Sequence, residues 1–530
     1  MSPRRLLLRN GRVLPGATRP TGPLTAVAVE DGRVTWIGHE DEANAWAVHA
    51  EVVLDLDGRL VTPAFVDAHV HLAQTGFAET SVDLATPTLV TALDALAEHA
   101  RSHTQPILLG HGWDDTHWPE RRPFTRAEVD RATGGRPAYL ARVDVHSAVV
   151  SSAFLDAVPA VTGAAGFDPD GVLTQRAHDV AREALFTLLP ESSRADALLL
   201  ALRAAAGQGI GAVHEMGAPH LSPVEDYARL DALALAHDGA LTEVVRYWGT
   251  HADDESIAAA RAHGCVGLAG DLCADGALGS RTSALRAPYS DDPSTAGALY
   301  LDVEQVHAHV VACTRAGLQG GFHVIGDRAV DTVLTGFQRA ADELGEDALR
   351  AARHRLEHVE MIAPADAARL ARWGVSASMQ PLFDAYWGGE SSLYAQRLGP
   401  ERAAGMNPLA TLADAGVLVA LGSDTPVTPF GPWAAVRAAA QHQTHRERLP
   451  ALRAFGAHTR AGWLAAGSEL PGAGTLVPGA PASLAVWDVP GGYADGPLPL
   501  PDLARGAPLP ACLLTVVHGR VAHEEPGALR

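Results

Sequence analysis

Two histidines separated by one residue, His69 and His71, have the type and spacing of ligands to a metal ion. They end an apolar run that begins at Thr62. In a β-strand the residues i and i+2 point to the same side, so both imidazoles can face one ion. A pair of this kind also arises by chance in a chain with 25 histidines. The pair alone therefore leaves a metal site and ordinary core histidines as alternatives.

Three further ionisable residues stand at the ends of short apolar runs. His323 ends Gly-Gly-Phe-His, His358 ends Arg-Leu-Glu-His, and Asp424 ends Leu-Val-Ala-Leu-Gly-Ser-Asp. Each has a structural alternative, namely a core histidine bonded to the backbone or, for Asp424, a helix cap. The catalytic groups of a parallel barrel meet at the carboxyl ends of its strands. Considered together, these residues and the histidine pair favour a metal site.

The elements that position these residues alternate between apolar, strand-like runs and alanine-rich helical segments such as 195–206 and 303–316. This alternation predicts βα units and hence a parallel sheet or barrel. The candidate strands number more than eight and include 61–66, 107–110, 138–141, 212–215, 267–271, 320–323, 355–358, 375–379 and 417–422. Residues 76–194 are irregular, and part of this segment is predicted to be an insertion that covers the barrel mouth.

Both ends of the chain have short strand-like runs separated by turn residues. These runs are 5–10, 26–30, 33–38, 51–56, 482–488 and 512–519. We therefore predict that residues 1–62 and 468–530 pair into one composite β-sandwich. Residues 63–467 are predicted to form a (β/α)8 TIM-like barrel of the α/β class, and a length of 530 residues suits a large barrel with an accessory domain.

The composition limits the possible partners and compartments. A net charge of -21 disfavours nucleic acid and anionic membrane surfaces, which require clustered cations. The first residues lack a signal-peptide core, no apolar run approaches the ~20 residues of a membrane span, and the four cysteines form no CxxC pair. We expect a cytoplasmic protein that binds a small-molecule substrate and no nucleic acid or membrane, with a homodimer as the default assembly.

Several segments resemble, in content and in their order along the chain, the amidohydrolase superfamily and within it the YtcJ-type branch, the amidohydrolase 3 group. The resemblance extends over nearly the whole chain. The segments that support it are 63–72, 112–114, 145–148, 275–281, 323–328, 355–358, 380–381, 422–426 and 474–484.

By this resemblance, His69 and His71 are metal ligands from strand 1, and His323 and His358 are ligands from strands 5 and 6. Asp424, from strand 8, is implied to be both a ligand and the general base. The implied cofactor is one or two Zn²⁺ ions, with Fe²⁺ or Mn²⁺ as alternatives. The implied reaction is hydrolysis by a metal-activated water, in which Asp424 accepts a proton and then protonates the leaving amine.

The chain departs from the family pattern in one respect that bears on the number of ions. Relatives with two ions commonly bridge them with a carboxylated lysine on strand 4, where this sequence has Asp271. All 41 basic residues are arginine, so this bridge cannot form anywhere in the chain. Either a carboxylate replaces it, with Asp271 ranked before Glu215, or the site holds one ion and His358 orients or polarises the substrate.

The resemblance also implies a substrate pocket lined by Trp113, Asp114 and His146, with Arg281 and Gln380 as contacts to substrate oxygens. Trp113 has plain packing as an alternative role, and Arg281 has a surface ion pair. The favoured function is metal-dependent hydrolysis of non-peptide C–N bonds in amide, N-acyl or N-formyl amine substrates. Alternatives are deamination of a heterocycle, hydrolysis of a lactone or ester, and a metal-free assembly protein on the same scaffold.

Overall fold

The computed structural model describes residues 4–16 and 22–529. In chain order, the strands in these residues are β1 (Arg5–Arg9), β2 (Arg12–Val13), β3 (Ala26–Glu30), β4 (Arg33–Gly38), β5 (Val52–Asp55), β6 (Leu60–Pro63), β7 (Phe65–Val70), β8 (Val82–Asp83), β9 (Leu108–Trp113), β10 (Ala138–Arg142), β11 (Ser147–Val150), β12 (Val172–Thr174), β13 (Ile210–Gly217), β14 (Glu243–Trp248), β15 (Gly267–Leu268), β16 (Gln319–Val324), β17 (Arg355–His358), β18 (Ser376–Met379), β19 (Val419–Leu421), β20 (Leu484–Asp488), β21 (Ala511–Val517) and β22 (Arg520–Glu524).

The α-helices of the same residues lie between these strands. They are α1 (Glu40–Ala47), α2 (Leu72–Thr80), α3 (Leu89–Ser102), α4 (Arg126–Thr133), α5 (Ser152–Ala157), α6 (Gln175–Leu188), α7 (Glu191–Gly207), α8 (Asp226–Ala236), α9 (Asp254–Ala262), α10 (Val303–Ala316), α11 (Asp327–Leu344), α12 (Glu346–Ala352), α13 (Pro364–Trp373), α14 (Pro381–Trp387), α15 (Leu393–Leu398), α16 (Pro400–Ala403), α17 (Leu409–Asp414), α18 (Pro432–Ala440), α19 (Ala451–Ala457) and α20 (Arg460–Ala465). Within the described ranges, no helix is both long and apolar enough to cross a membrane.

Eight strands form one parallel sheet that closes almost completely into a barrel. Their order around the barrel is β7, β13, β14, β15, β16, β17, β18 and β19. Just beyond the ends of β7 and β19, the Asp424 N–H donates to the His69 carbonyl oxygen at 2.8 Å, and the His71 N–H donates to the Thr425 carbonyl oxygen at 3.1 Å. The predicted (β/α)8 TIM-like barrel is confirmed, and these two bonds place three predicted ligands side by side.

Seven of the eight barrel strands are buried along their length, as a sheet covered on both faces requires, and only the start of β14 is partly exposed. Local sequence signals fix where the elements begin and end. For example, α10 begins at a capping box between Asp302 and Gln305 and ends at Gly317, whose φ of 68° is in the left-handed region. This turn directs the chain into β16, which contains His323.

The two chain ends form a β-sandwich, as predicted for the fold. One sheet has the order β4-β3-β1-β5, and the other has the order β2-β6-β20-β21-β22. Strand β6 from the N-terminal end pairs antiparallel with β20 from the C-terminal end. The sheets share one apolar core that includes Leu8, Val27, Leu484 and Val516. Burial of apolar surface from both ends therefore stabilises this unit.

A third sheet explains why the sequence contains more than eight candidate strands. The predicted strands 107–110 and 138–141 lie in β9 and β10, which belong to a five-stranded sheet of order β12-β11-β10-β9-β8 and not to the barrel. Both kinds of sheet bury parallel apolar strands, so local pattern does not distinguish them. The predicted run 61–66 is interrupted at Ala64, because β6 lies in the sandwich and β7 in the barrel. Of the predicted strand 267–271, only Gly267–Leu268 is a strand.

We propose domain boundaries that follow these sheets. The sandwich comprises residues 1–62 and 468–530, and the barrel comprises residues 63–467 with an insertion at about 76–194. The third sheet, formed by strands between Val82 and Thr174, supports the insertion. Parts of the proposed sandwich, namely 1–3, 17–21 and 530, lie outside the described residues.

Candidate metal centre and substrate cleft

The six predicted metal ligands lie at the carboxyl ends of five barrel strands. They are His69 in β7, His71 directly after β7, Asp271 after β15, His323 in β16, His358 in β17 and Asp424 after β19. All six are buried. The parallel barrel brings these residues to one end although they are far apart in the sequence.

The imidazoles and carboxylates of this cluster are close enough to share an ion. Asp424 Oδ1 lies 3.4 Å from His69 Nε2 and 3.1 Å from His71 Nε2. Asp271 approaches the same histidines, with Oδ1 at 3.5 Å from His69 Nε2 and Oδ2 at 3.2 Å from His71 Nε2. His323 Nδ1 is 3.8 Å from Asp271 Oδ1. The ligand atoms thus converge on the His69 and His71 pair.

Two groups of potential ligands have His69 in common. Atoms of His69, His71 and Asp424 lie within 4.8 Å of one another, and so do atoms of His69, Asp271 and His358. This geometry accommodates a single ion in either group or two neighbouring ions.

Buried polar atoms without partners indicate that the cluster fits a divalent cation. Among the described residues, His69 Nε2, Asp271 Oδ1, His323 Nδ1 and Asp424 Oδ1 are buried and accept or donate no hydrogen bond. Such atoms are rare in folded proteins because desolvation without a partner is costly. Imidazole nitrogens and carboxylate oxygens are ligands typical of zinc, iron and manganese. The donor set therefore fits the cofactor expected from the sequence.

The charges of the cluster also favour a bound cation. Burial lowers the pKa of His71, but the Asp271 and Asp424 carboxylates outweigh it and raise this pKa to about 10. Burial raises the pKa of Asp271, yet His71 and His69 hold it well below its usual value. By contrast, burial and the neighbouring His323 lower the pKa of His358 to about 4, so this imidazole is neutral. In the metal-free protein, protons on the histidines balance the two carboxylates.

A buried hydrogen-bond network orients His69 through Nδ1, the ring nitrogen that faces away from the cluster. His69 Nδ1 lies 2.9 Å from Glu357 Oε2, and Arg355 Nε donates to Glu357 Oε1 at 2.6 Å. Burial raises the pKa of Glu357, but Arg355 and His69 lower it to about 2, so it is a carboxylate. A carboxylate that accepts from Nδ1–H leaves Nε2 free to face an ion. The motifs of the sequence do not single out Glu357, although it directly precedes a predicted ligand.

Replacing Glu357 with Gln is expected to lower the affinity for the metal by about 10- to 100-fold, because an amide holds the His69 tautomer less firmly than a carboxylate. Metal-competition titration with a chromogenic chelator measures this change. The control is Glu243→Gln, which alters a similar contact far from the site, since His518 Nε2 lies 2.6 Å from Glu243 Oε2. Equal metal affinity in both variants would contradict the orienting role of Glu357.

His358 is held by Gln380, which the sequence predicts to be a substrate contact. His358 Nδ1 lies 2.9 Å from Gln380 Oε1, so the structure places Gln380 behind a predicted ligand. The backbone has positive φ angles at two of the predicted ligands and at one neighbour, with 68° at His358, 47° at Val359 and 58° at Asp424. Side chains rarely occupy this left-handed region, and such strain is concentrated at functional sites.

A cleft opens above the cluster, and the empty space within it, part of which is open to solvent, is about 410 Å³. His323, His358 and Asp424 are among its lining residues, and Phe383 and Trp387 contribute aromatic surface. We call this space the substrate cleft. It joins the predicted ligands to a concave space lined by both polar and aromatic side chains, the kind of lining that small-molecule sites have.

Two of the predicted substrate contacts are at or next to the substrate cleft. His146 lines it, and its ring centroid lies 5.0 Å from that of His323. Asp114 accepts from Arg142 Nη2 at 2.7 Å, and Arg142 itself lines the cleft. Asp144 also binds Arg142, at 2.9 Å. Arg142 could be identified by the same signal as the ligands, because it directly follows the strand-like run 138–141.

Trp113 and Arg281 are not among the residues that line the substrate cleft. Trp113 is buried against Trp118 and Phe124, and its Nε1–H donates to the Leu140 carbonyl oxygen at 2.9 Å. Arg281 donates to Asp291 Oδ2 at 2.8 Å. In the structure Trp113 is thus a packed core residue of the third sheet and Arg281 forms an ion pair, the alternatives considered for both, and a role in substrate contact stays a prediction.

Comparisons with known proteins agree with this geometry. Residues 52–523 match the amidohydrolase family. The chain is 27% identical over 450 residues to the putative amidohydrolase YtcJ of Bacillus subtilis (strain 168), which covers 80% of this chain and 81% of that protein. It is also 27% identical over 441 residues to the N-substituted formamide deformylase of Arthrobacter pascens, which covers 78% of this chain and 80% of that enzyme.

A solved structure shows the same likeness in three dimensions. The crystal structure of an uncharacterized metal-dependent hydrolase from Pyrococcus furiosus has a TM-score of 0.70 and 26% identity to this chain, and it covers 93% of this chain and 100% of its own. The family match includes all eight barrel strands and all six predicted ligands. The chain therefore belongs to the amidohydrolase family and is a metal-dependent hydrolase.

Proposed function

We propose that this enzyme hydrolyses non-peptide C–N bonds in small amide substrates, in particular N-acyl and N-formyl amines. One observation supports this most directly: Asp424 contacts both His69 and His71 and also lines the substrate cleft. A carboxylate in this position can exchange a proton with water or substrate at the floor of the cleft. The likeness to an N-substituted formamide deformylase favours N-formyl amines within this class.

The protein groups have distinct roles in the proposed reaction. When bound to this cluster, a divalent ion supplies Lewis-acid activation of water and of the scissile carbonyl group. Asp424 accepts the proton of the attacking water and later donates it to the leaving nitrogen. Burial holds the pKa of His146 well below its usual value, so its neutral ring retains one N–H that can donate to a substrate oxygen. Phe383 and Trp387 restrict water around the substrate.

We propose that Asp271 replaces the bridging lysine and that the site holds two ions. Asp271 approaches His69, His71 and His323 within 3.2 to 3.8 Å. Glu215, the other candidate, accepts a hydrogen bond from the Leu72 N–H at 2.7 Å and belongs to neither ligand group. The Gln380 contact leaves His358 Nε2 available as a ligand, which supports two ions over a single one.

Metal analysis of Asp271→Asn tests this assignment. We expect about two ions per chain in the parent enzyme and about one in the variant, because a neutral amide does not balance two cations. Glu215→Gln is the control and should retain both ions. One ion per chain in all three proteins, measured by inductively coupled plasma mass spectrometry, would contradict the bridging role and leave a single-ion site.

The proposed reaction can be distinguished from its alternatives by product. The metal-loaded enzyme is to be assayed with N-formyl and N-acyl amines, aminated heterocycles and lactones. Release of a carboxylate together with an amine would support the proposal. Ammonia released only from heterocycles would support deamination instead, and turnover confined to lactones would support ester-type hydrolysis. The alternative of a metal-free assembly protein loses its basis, because the chain is a metal-dependent hydrolase.

A further inference from the structure

A second cavity lies behind the substrate cleft, between α2 and the third sheet. The empty space within it, part of which is open to solvent, is about 610 Å³. Apolar side chains form most of its walls, including Phe77 and Ala78 from α2, Leu109 from β9, and Leu185 and Phe186 from α6. We call it the rear cavity.

Single backbone segments separate the rear cavity from the substrate cleft. At three places, consecutive residues line opposite sides of such a segment. The pairs are Ala141 and Arg142, Val145 and His146, and Pro426 and Val427, with the first of each pair facing the rear cavity and the second facing the cleft. Asp424 is two residues from Pro426. The rear cavity is therefore distinct from the cleft but adjacent to it.

The mostly apolar lining of the rear cavity includes one cationic side chain. Arg182, from α6, is 7% exposed and lines the cavity. Its guanidinium has five N–H donors. Nη1 donates to the Val145 carbonyl oxygen at 3.4 Å, and Nη2 donates to Asp179 at 3.2 Å. Within the described ranges Nε is buried and has no hydrogen-bond partner. Asp179, which is partly exposed, thus forms an ion pair with one side of the guanidinium, and the Nε–H remains available at the edge of an apolar space.

A second polar group with an unused atom lines the same space. His111 contributes to the lining, and its Nδ1 is buried without a partner among the described residues. Burial lowers the pKa of His111, so this ring is neutral near pH 7 and does not add a second charge. The lining is mostly apolar, with one cation and a few neutral polar side chains, namely Gln74, Ser81, His111 and Tyr139. It matches a ligand that is apolar along its length and carries one acidic head group.

We propose that the rear cavity binds an apolar carboxylate, with its carboxyl group on Arg182 and its hydrocarbon part against α2, β9 and α6. The planar guanidinium fits the two oxygens of a carboxylate, and such charge-assisted bonds are strongest where water is excluded. The single charge and apolar walls disfavour a phosphate ester or a sugar, which have more polar groups than the lining can pair. A more polar surface cleft shares Phe77, Ser81, Leu109 and Leu189 with the cavity and so adjoins it.

Isothermal titration calorimetry of the full-length enzyme with decanoate tests this proposal without any measurement of turnover. We expect saturable binding of one decanoate per chain and about 10- to 100-fold weaker binding of decanol, which lacks the charge. Arg182→Gln should weaken decanoate binding by a similar factor. The matched control is Arg176→Gln on the same helix, because Arg176 is 55% exposed and pairs with Glu183 at the surface.

A second variant keeps the test decisive if Arg182→Gln does not fold. Ala78→Leu adds bulk to a half-buried position in the lining and should also weaken binding at least about 10-fold by filling the cavity. Decanoate binding that is abolished by chelation of the metal but unchanged in Ala78→Leu would place the carboxylate on the metal and overturn the proposal. Absence of saturable binding to the parent enzyme would overturn it as well.

Discussion

Asp424→Asn is expected to reduce kcat by roughly 10²- to 10⁴-fold, the contribution typical of general acid–base catalysis, while most of the metal remains bound. The Asn side chain keeps an oxygen that can serve as a ligand, but it cannot accept a proton from water or return one to the leaving nitrogen. Steady-state kinetics on a formamide substrate and metal analysis of the same preparation measure the two effects separately.

The control for this variant is Asp414→Asn. Asp414 ends α17, just before β19, and its carboxylate is largely exposed in an ion pair with Arg453. Its loss should leave kcat and metal content unchanged. Substantial turnover by a metal-loaded Asp424→Asn enzyme would reject the proposed base, whereas loss of metal from that variant would show that Asp424 acts mainly as a ligand.

Removal of the metal is expected to abolish hydrolysis and to lower the free energy of unfolding. An ion present at 1,000 times its dissociation constant stabilises the folded state by about 4 kcal/mol. The metal-free protein should also lose stability as the pH rises from about 6.5 to about 10. Burial lowers the pKa of His71, but Asp271 and Asp424 raise it to about 10 in the folded state. Protonation of His71 therefore stabilises the folded protein below about pH 6.5, and this stabilisation is lost as the pH rises through about 10.

Thermal unfolding of the chelated and the metal-loaded enzyme across this pH range measures the difference. The metal-loaded enzyme should lack the slope, because a metal ligand is already deprotonated. His71→Asn should reduce the slope in the chelated protein, and His117→Asn, which alters a largely exposed histidine, should not. Parallel curves for the chelated and the metal-loaded enzyme would contradict the assignment of His71.

The barrel and the convergence of the predicted ligands at one end of it can be predicted from the sequence, because both depend on patterns within single strands. His323, His358 and Asp424 each end or follow an apolar run, and the parallel topology brings such ends together. The sandwich is predictable for a similar reason, since turn residues separate its strands. The assignment of strands to sheets is less predictable. β9 and β10 have the apolar pattern of barrel strands, and only the pairing of distant residues separates them.

Contacts between secondary-structure elements cannot be predicted from local sequence pattern, and these contacts determine the rest of the site. Glu357 supports His69 across a sequence separation of 288 residues, and Gln380 faces His358 rather than the substrate cleft. Trp113 satisfies its indole N–H within the third sheet, which a motif cannot reveal. Strand-end position predicts where a side chain lies along the barrel axis, whereas its hydrogen-bond partner depends on the tertiary packing of neighbouring strands.

The pairing of β6 with β20 has a consequence for the synthesis of the chain. Pro63 pairs with Leu484, so β6 leaves the ribosome 421 residues before its neighbour. At roughly 10 residues per second, the edge of β6 that later pairs with β20 stays unpaired for about 40 s. β7 itself pairs with β13 in the barrel, but the sandwich sheet that precedes it is completed only when β20 has been made. C-terminal truncations that remove β20 should therefore expose the apolar edge of β6 and aggregate more readily.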